Sequence, residues 1–310
     1  MNTNTAKEFY STEKKRWFMT LIEWMKLYRE KKSGCSASLI EHIDLTTRLL
    51  CQYGDCRLRD AGKAYCLGFI DFLKKAKTKQ GKPLSAATAK VFQDCLRAAL
   101  NEAVREEMIE RNPFILINHT ERIKKEEQMM IYLTIEEVKR LRATECRDGM
   151  VKRAYLFSVF CGLRISDVRA LRWRDINING GQTWVTLRQK KTGNPLWLPL
   201  SKQAVECLPE RCETGSEVCV FKLPSRYTLN QIIGEWAKEA EIDKHVTFHS
   251  SRHTHATMML TLGADLYTVS KLLGHSNINT TQIYARIIDQ TKVSAVNKID
   301  LEFGESNGEA

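Results

Sequence analysis

The sequence predicts a mainly α-helical chain with a small β-sheet, divided into two domains. Apolar residues recur at helical spacing over most of the chain. Two short β-rich segments, WVTLRQ and PLWLPL, flank a turn that contains a glycine, which is typical of a hairpin. The length of 310 residues suggests about two domains.

The first domain, predicted over residues 1–117, is helical. Its apolar stripes cover residues 17–29, 38–53 and 64–76. A longer helix follows Ser85, which is placed as its N-cap. This helix ends before Asn112, because the residue that precedes a proline disfavours the helical conformation.

A lysine-rich segment, KKAKTKQGK, interrupts these helices at residues 74–82 and contains no acidic residue. Such a run is usually a solvated loop. In a basic protein, contact with phosphates has comparable weight. The lysines that would make those contacts are Lys74, Lys75, Lys77, Lys79 and Lys82.

A polar, weakly patterned segment at residues 118–130 is predicted to be the linker to the second domain, 131–300. Thr134 and Glu137 predict a capping box at the start of that domain. Further helices are predicted at 151–161, from about 229 onward, from HSSRHTHA to Leu262, and up to Gly274 as a C-cap. An amphipathic tail helix and a disordered end at 301–310 complete the chain.

The net charge of +11 indicates a polyanionic partner, with nucleic acid ahead of an anionic membrane. No stretch approaches 18 consecutive apolar residues, and the first residues lack the apolar core of a signal peptide. The ten cysteines form no CxxC pair, which argues against a structural zinc site. They predict free thiols in a reducing cytoplasm.

Histidines cluster in the second domain, where five of the seven lie between residues 245 and 275. His249 and His253 have the i, i+4 spacing of zinc ligands, but a third ligand is not apparent. Arg252 shares a helix face with His249, and its charge would repel a metal cation. These residues therefore favour an anion site over a metal site.

An anion site of this kind needs a second guanidinium, because arginines bind phosphate oxygens with charged, bidentate donors. Arg164 in CGLRISD is the candidate. The alternative is that Arg164 and Asp167 form an ordinary surface ion pair, which contributes little.

Four segments, taken in order, resemble the motifs of tyrosine recombinases of the phage integrase family. They are CGLRISD, KKTG followed by LWLPL, HSSRHTHAT, and LLGHSNINTTQIYA. The resemblance extends over residues 131–290, and the N-terminal helices resemble the family's SAM-like core-binding domain. Ser251 departs from the leucine that is common before the second arginine.

The resemblance implies that Arg164 and Arg252 hold the scissile phosphate and stabilise its transition state. Tyr284 would attack phosphorus and form a 3′-phosphotyrosyl bond. Lys191 would protonate the leaving 5′-hydroxyl, with Lys190 as its competitor.

The same resemblance gives the histidines different roles. His249 would exchange a proton with Tyr284, and His275 would donate to the phosphate or the nucleophile. His253 is expected to be architectural, and His255 receives no role.

The implied function is site-specific DNA recombination, by integration, excision or inversion, through a Holliday junction. The implied partners are double-stranded DNA, three further copies of the chain in a tetramer on two DNA sites, and accessory DNA-bending proteins. No metal, no ATP and no other cofactor is expected. The alternatives are a type IB topoisomerase-like strand transferase, a catalytically silent DNA-binding regulator and, more remotely, a metallohydrolase.

Overall fold

The computed structural model describes residues 18–78, 80–124, 130–211 and 215–284. The chain divides into two compact units, Met1–Gln128 and Met129–Ala310. Within the described ranges, the helices are too short or too polar to cross a membrane. The start of the predicted first helix at Trp17, the side chain of Lys79, the tail helix and the disordered end lie outside the described residues.

The first unit is a small helical bundle. Its helices are α1 (Leu21–Lys31), α2 (Ala37–Tyr53), α3 (Lys63–Lys75) and α4 (Ala86–Arg105), with short 3₁₀ turns at Leu58–Asp60 and Pro113–Leu116. Helix α1 begins at Leu21 because Thr20 and Glu23 form a capping box in front of it. The predicted N-cap of α4 is confirmed, since the hydroxyl of Ser85 accepts a hydrogen bond from the Thr88 amide at 3.1 Å.

The core of this unit joins α1 to α4. Trp24 is fully buried, and its indole N–H donates to the Ala99 carbonyl at 2.9 Å. Phe69 and Leu100 are buried in the same cluster. A buried tryptophan with a satisfied N–H contributes both apolar area and a directional contact, so it fixes how the two helices pack.

The lysine-rich segment begins in the last turn of α3 and continues into a tight loop. The Thr78 amide donates to the Lys82 carbonyl at 2.7 Å, which closes the loop. The four described lysines of the segment, Lys74, Lys75, Lys77 and Lys82, are all exposed. The Lys74 ammonium pairs with Asp71 at 2.9 Å, and all four side chains can be reached by solvent or by a polyanion.

The second unit combines helices with a three-stranded sheet. Its helices are α5 (Ile135–Ala143), α6 (Gly149–Cys161), α7 (Ile165–Ala170), α8 (Lys202–Glu206), α9 (Arg226–Glu239), α10 (Phe248–Thr261) and α11 (Leu266–Leu272). Its strands are β1 (Ile176–Asn179), β2 (Gln182–Arg188) and β3 (Pro195–Pro199), and short 3₁₀ turns lie at Trp173–Asp175, Ile278–Thr280 and Gln282–Tyr284. The predicted capping box is present, with Thr134 and Glu137 bonded to each other's backbone amides.

The sheet is antiparallel in the order β1-β2-β3. The predicted hairpin corresponds to β2 and β3, where Val185 pairs with Leu198 and both side chains are buried. Strand β1 was not predicted. It joins β2 through Gly180 and Gly181, which both have positive φ and so form the tight turn that this connection needs.

Helices α6 and α10 form the centre of the second unit. The Tyr155 ring of α6 contacts Trp236 of α9 and Phe248 of α10 edge to face, with ring centroids 5.8 and 6.0 Å apart. Both helices are buried along much of their length. The C-terminal end of α6 and the polar face of α10 are thereby brought together, and the candidate site lies there.

Candidate active site

Arg252 is the central cation of the site and is only 4% exposed. Its guanidinium donates to the Gly162 carbonyl at 2.6 Å, to the Leu273 carbonyl at 2.7 Å and to Nε2 of His275 at 2.9 Å. Burial and the nearby Arg164 charge lower the pKa of Arg252 to about 10. All three acceptors are neutral, so they orient the guanidinium without cancelling its charge.

Arg164 provides the second guanidinium and lies at the N-cap position of α7. The preceding helix ends at Gly162, whose φ of +73° turns the chain toward Arg164. The Nη1 atom of Arg164 is buried and has no hydrogen-bond partner in the described part of the chain. Burial lowers the pKa of this arginine, and the Asp167 charge partly offsets the effect.

A surface ion pair between Arg164 and Asp167, considered from sequence, is wrong. Asp167 is 1% exposed, and its Oδ1 atom accepts a hydrogen bond from the Lys190 amide at 2.8 Å. Among the described residues, no ion pair involves Arg164 or Arg252. Asp167 therefore anchors the lysine turn, and its charge only partly offsets those of the two arginines, which form no ion pair among the described residues.

Tyr284 is buried on the same side of α10. Its hydroxyl lies 2.9 Å from Nδ1 of His253. Burial raises the pKa of Tyr284 to about 12, although Arg252 and Arg164 pull it downward. The phenol therefore needs a proton acceptor to become a nucleophile near neutral pH.

His253 is placed to be that acceptor, because its Nδ1 atom lies against the hydroxyl. Burial and the neighbouring His249 lower its pKa to about 4, so the ring is unprotonated near neutral pH. Sequence reasoning missed this contact and treated His253 as architectural. The usable signal was the i, i+4 spacing of His249 and His253, which places both rings on one face of the helix.

His249 lies edge-on to His253, with ring centroids 4.6 Å apart. His249 is exposed overall, but part of its ring is buried, and this burial is the largest cause of its lowered pKa. The positive charges of Arg252, Lys191 and Arg164 lower the pKa further. His249 therefore faces the same cluster of cations, although no hydrogen bond joins it to Tyr284 in the described residues.

His275 supports Arg252. Its Nε2 atom accepts from the guanidinium, so its other ring nitrogen carries the proton and donates to the Thr281 hydroxyl at 2.8 Å. Burial and the two arginine charges lower the pKa of His275 to about 4. Both ring nitrogens are engaged, so a contact with the nucleophile or a phosphate would require one of these bonds to change.

His255, which received no role from sequence, lies beneath the turn at Gly162. Its Nδ1 atom is 3.0 Å from the Val159 carbonyl, and its Nε2 atom is buried and has no hydrogen-bond partner among the residues that the structure describes. A Cβ at Gly162 would lie 2.7 Å from the His255 ring, so the ring and the glycine fit closely. His255 thus supports the backbone that accepts from Arg252.

Ser251, which stands where leucine is common, also helps to hold the backbone around the two arginines. Its hydroxyl lies 2.6 Å from that of Ser158, which in turn donates to the Leu163 carbonyl at 2.8 Å. Both serines are fully buried. This hydroxyl pair connects the residue before Arg252 to the residue before Arg164.

Lys190 and Lys191 lie in the β2-β3 turn, and both side chains are exposed. The Lys191 charge is one of the causes that lower the pKa of His249, after burial and the charge of Arg252. Lys190 is fixed through its backbone amide to Asp167. Of the two lysine charges, that of Lys191 is therefore the one felt at His249.

The side chains of Arg164 and Arg252 form a cluster of positive charge, and the phenol of Tyr284 lies beside it. No group of three or more metal-binding side chains occurs in the part of the chain that the structure describes. Two arginines with unused charge are suited to an anion such as a phosphodiester, and they match the charge that develops when phosphorus is attacked.

The sequence of the chain identifies its family. Residues 131–291 match the phage integrase family, and residues 20–123 match the phage integrase SAM-like domain. The chain therefore belongs to the phage integrase family, and the predicted family and fold class are confirmed. It is similar to the tyrosine recombinase XerC of Pelobacter propionicus, with 31% identity over 224 residues that cover 68% of this chain and 69% of the relative.

Other relatives extend the match. A tyrosine recombinase of Pseudothermotoga lettingae is 28% identical over 258 residues, which cover 79% of this chain and 85% of that protein. The Tn1549 transposon integrase, solved with a circular intermediate DNA, has a TM-score of 0.68 at 17% identity and covers 86% of this chain and 95% of its own. A lambda integrase dimer bound to a COC′ core site gives 0.67 at 21% identity, with coverage of 86% and 95%. These solved structures share the fold.

Proposed function

We propose that this protein is a site-specific DNA recombinase that breaks and rejoins DNA through a covalent bond to Tyr284. The observation that carries the proposal is the pair of arginines, Arg164 and Arg252, whose guanidinium groups form no ion pair in the described residues and act on the buried hydroxyl of Tyr284. Two buried guanidinium groups that share one partly offsetting carboxylate are costly unless an anion occupies the site in the working state. Membership of the phage integrase family supports the same conclusion.

In the proposed reaction, the Tyr284 oxygen attacks phosphorus and the bond from phosphorus to the 5′-oxygen breaks. The product is a 3′-phosphotyrosyl ester and a free 5′-hydroxyl. Arg164 and Arg252 bind the non-bridging oxygens and stabilise their added charge in the transition state. One ester replaces another, so the step needs no ATP and no other cofactor.

Two protons move in this step. The hydroxyl proton of Tyr284 passes to Nδ1 of His253, which is already within hydrogen-bond distance. His249, next to that ring, remains the second candidate for proton transfer. Lys191 donates a proton to the leaving 5′-oxygen, and His275 holds Arg252 in place.

The proposed partner is double-stranded DNA, contacted by the lysine-rich segment of the first unit as well as by the second unit. Recombination joins two duplexes, so four copies of the chain are expected to assemble on two sites and to pass through a Holliday junction. A lambda integrase tetramer has been solved on such a junction. We also propose that accessory DNA-bending proteins take part. The proposed location is the cytoplasm, because the free cysteines of the described residues suit a reducing compartment.

The test uses a suicide DNA substrate with a nick beside the cleavage point, so that a short fragment is lost and the covalent product accumulates. Wild-type protein is expected to become attached to the DNA, and Tyr284→Phe is expected to form no adduct because the phenol oxygen is missing. Denaturing gels with labelled DNA measure the adduct, and DNA binding by the variant is the control.

An adduct with Tyr284→Phe would show that another residue is the nucleophile. Wild-type protein that binds DNA and never forms an adduct would point to a DNA-binding regulator. An adduct without joining of two duplexes would point to a topoisomerase-like strand transferase.

A further inference from the structure

Gln189 carries a buried amide immediately after β2, and it is 1% exposed. Its Nε2 atom donates to the Leu273 carbonyl at 3.2 Å, and its Oε1 atom accepts from the Thr192 hydroxyl at 2.8 Å. Both ends of the amide are therefore used. The side chain connects the turn that follows β2 to the chain just before His275.

The Leu273 carbonyl is shared by two donors. It accepts from Arg252 at 2.7 Å as well as from Gln189. A carbonyl oxygen has two lone pairs, so both bonds form at once. Gln189 and Arg252 are thus fixed to one atom, and their relative position is set by it.

The packing around this amide leaves it little freedom. Gly274, with φ of +63°, lies against it so closely that a Cβ there would be 2.3 Å from Nε2 of Gln189. The absence of a side chain at Gly274 allows the amide to enter the groove between the two turns. The Gln189 amide is therefore tightly packed between the two turns and is not a loose surface contact.

The lysine turn is held at two points. Its backbone closes through the Gly193 amide, which donates to the Gln189 carbonyl at 2.8 Å. Asp167 binds the Lys190 amide on one side, and the Gln189 side chain binds the Leu273 carbonyl on the other. Lys191 directly follows these two anchors in the chain, on an otherwise exposed turn.

We propose that Gln189 is a positioning residue that fixes the Lys190–Lys191 turn relative to Arg252 and His275. The inference rests on the proposed function, in which Lys191 protonates the leaving 5′-oxygen. Proton donation depends steeply on where the donor lies. Loss of the amide frees one anchor of the turn, so the lysine is less often within reach of the oxygen.

The test compares two nicked suicide substrates in single-turnover reactions at saturating DNA. One has the natural 5′-oxygen at the cleaved bond, and the other has sulfur in its place. When the bond from phosphorus to sulfur breaks, the sulfur leaves as a thiolate and needs no proton. A defect in lysine placement therefore slows cleavage of the oxygen substrate and spares the sulfur substrate.

Gln189→Ala is expected to slow the oxygen substrate by roughly 10- to 100-fold, in line with the effect of small displacements of a catalytic group. On the sulfur substrate it should be close to wild type. Gln182→Ala is the matched control, because Gln182 also donates to a backbone carbonyl, that of Leu200 at 2.6 Å, but at the opposite end of β2. It should behave as wild type on both substrates.

A second variant keeps the test decisive if Gln189→Ala does not fold, as judged by circular dichroism. Thr192→Val removes the hydroxyl that binds the amide oxygen on the exposed side of the turn, and it should show the same selective loss with smaller size. Equal loss on both substrates, or no loss beyond that of Gln182→Ala, overturns the inference. Failure of wild-type protein to form any adduct would instead contradict the proposed function.

Discussion

Arg252 shows at the scale of one residue how the site prepares for an anion. Two backbone carbonyls and a neutral imidazole hold the guanidinium in one orientation. A carboxylate would have held it equally well, but it would also have occupied the charge that a phosphate needs. The neutral acceptors therefore combine rigid placement with an unused charge, as expected for electrostatic preorganisation.

His255 gives a prediction about pH at the same scale. Burial lowers its pKa to about 4, against 6.5 for an ordinary histidine. The unfolded chain therefore binds a proton between pH 6.5 and 4 while the folded chain does not, so stability falls as the pH falls through that window. For this one group the loss from pH 8 to pH 5 is about 2 kcal/mol.

The measurement is urea unfolding of the second unit, in the full chain, at pH 8 and at pH 5. His255→Phe should reduce the difference in unfolding free energy between the two pH values, whatever its effect at pH 8. His119→Gln, an exposed substitution in the first unit, is the control. The same pH dependence in wild type and His255→Phe would contradict the assignment.

At the scale of elements, the turn between α6 and α7 sets the distance between the two arginines. Gly162 caps α6, its carbonyl accepts from Arg252, and its Cα lies against the His255 ring. Only a residue without a Cβ satisfies both the positive φ and the close approach.

Gly162→Ala is therefore expected to destabilise the second unit by about 2–4 kcal/mol, from backbone strain and overpacking together. Gly181→Ala provides the comparison, because Gly181 has a similar φ of +77° with open space where its Cβ would point. It should cost only about 1 kcal/mol. Chemical denaturation measures both, and equal losses would show that contact with His255 is unimportant.

Elements with strong local signals were predicted well from sequence. The cap at Ser85, the box at Thr134 and the hairpin of β2 and β3 all depend on neighbours within a few residues. Strand β1 was missed because it has only four residues and a mostly exposed face, and only the Gly180-Gly181 pair marked its turn.

Contacts within the candidate site could be predicted only in part. Motif order grouped Arg164, Arg252 and Tyr284, and in the structure the charges of both arginines act on the pKa of the tyrosine. The bonds from Arg252 to Gly162 and from His253 to Tyr284 join residues 90 and 31 positions apart. They arise from tertiary packing, so no local pattern in the sequence specifies them.

At the scale of the whole molecule, positive charge is distributed over both units. Residues 1–130 contain 24 basic against 17 acidic residues, a balance of +7, and residues 131–310 contain 24 against 20, a balance of +4. A protein that binds DNA through phosphate contacts releases counterions, so its affinity falls as salt rises. The number of contacting lysines can be counted from this dependence.

Replacing Lys74, Lys75, Lys77 and Lys82 together by Gln tests the exposed lysine segment of the first unit. The slope of log affinity against log salt is expected to decrease in magnitude by roughly 0.9 for each lysine that contacts a phosphate. Fluorescence anisotropy with labelled duplex over a salt series measures the slope. The single-turnover rate of adduct formation at saturating DNA should stay at the wild-type value, because the two arginines, the histidines and Tyr284 are untouched. An unchanged slope would mean that the segment is a solvated loop, and that DNA is held through other cations.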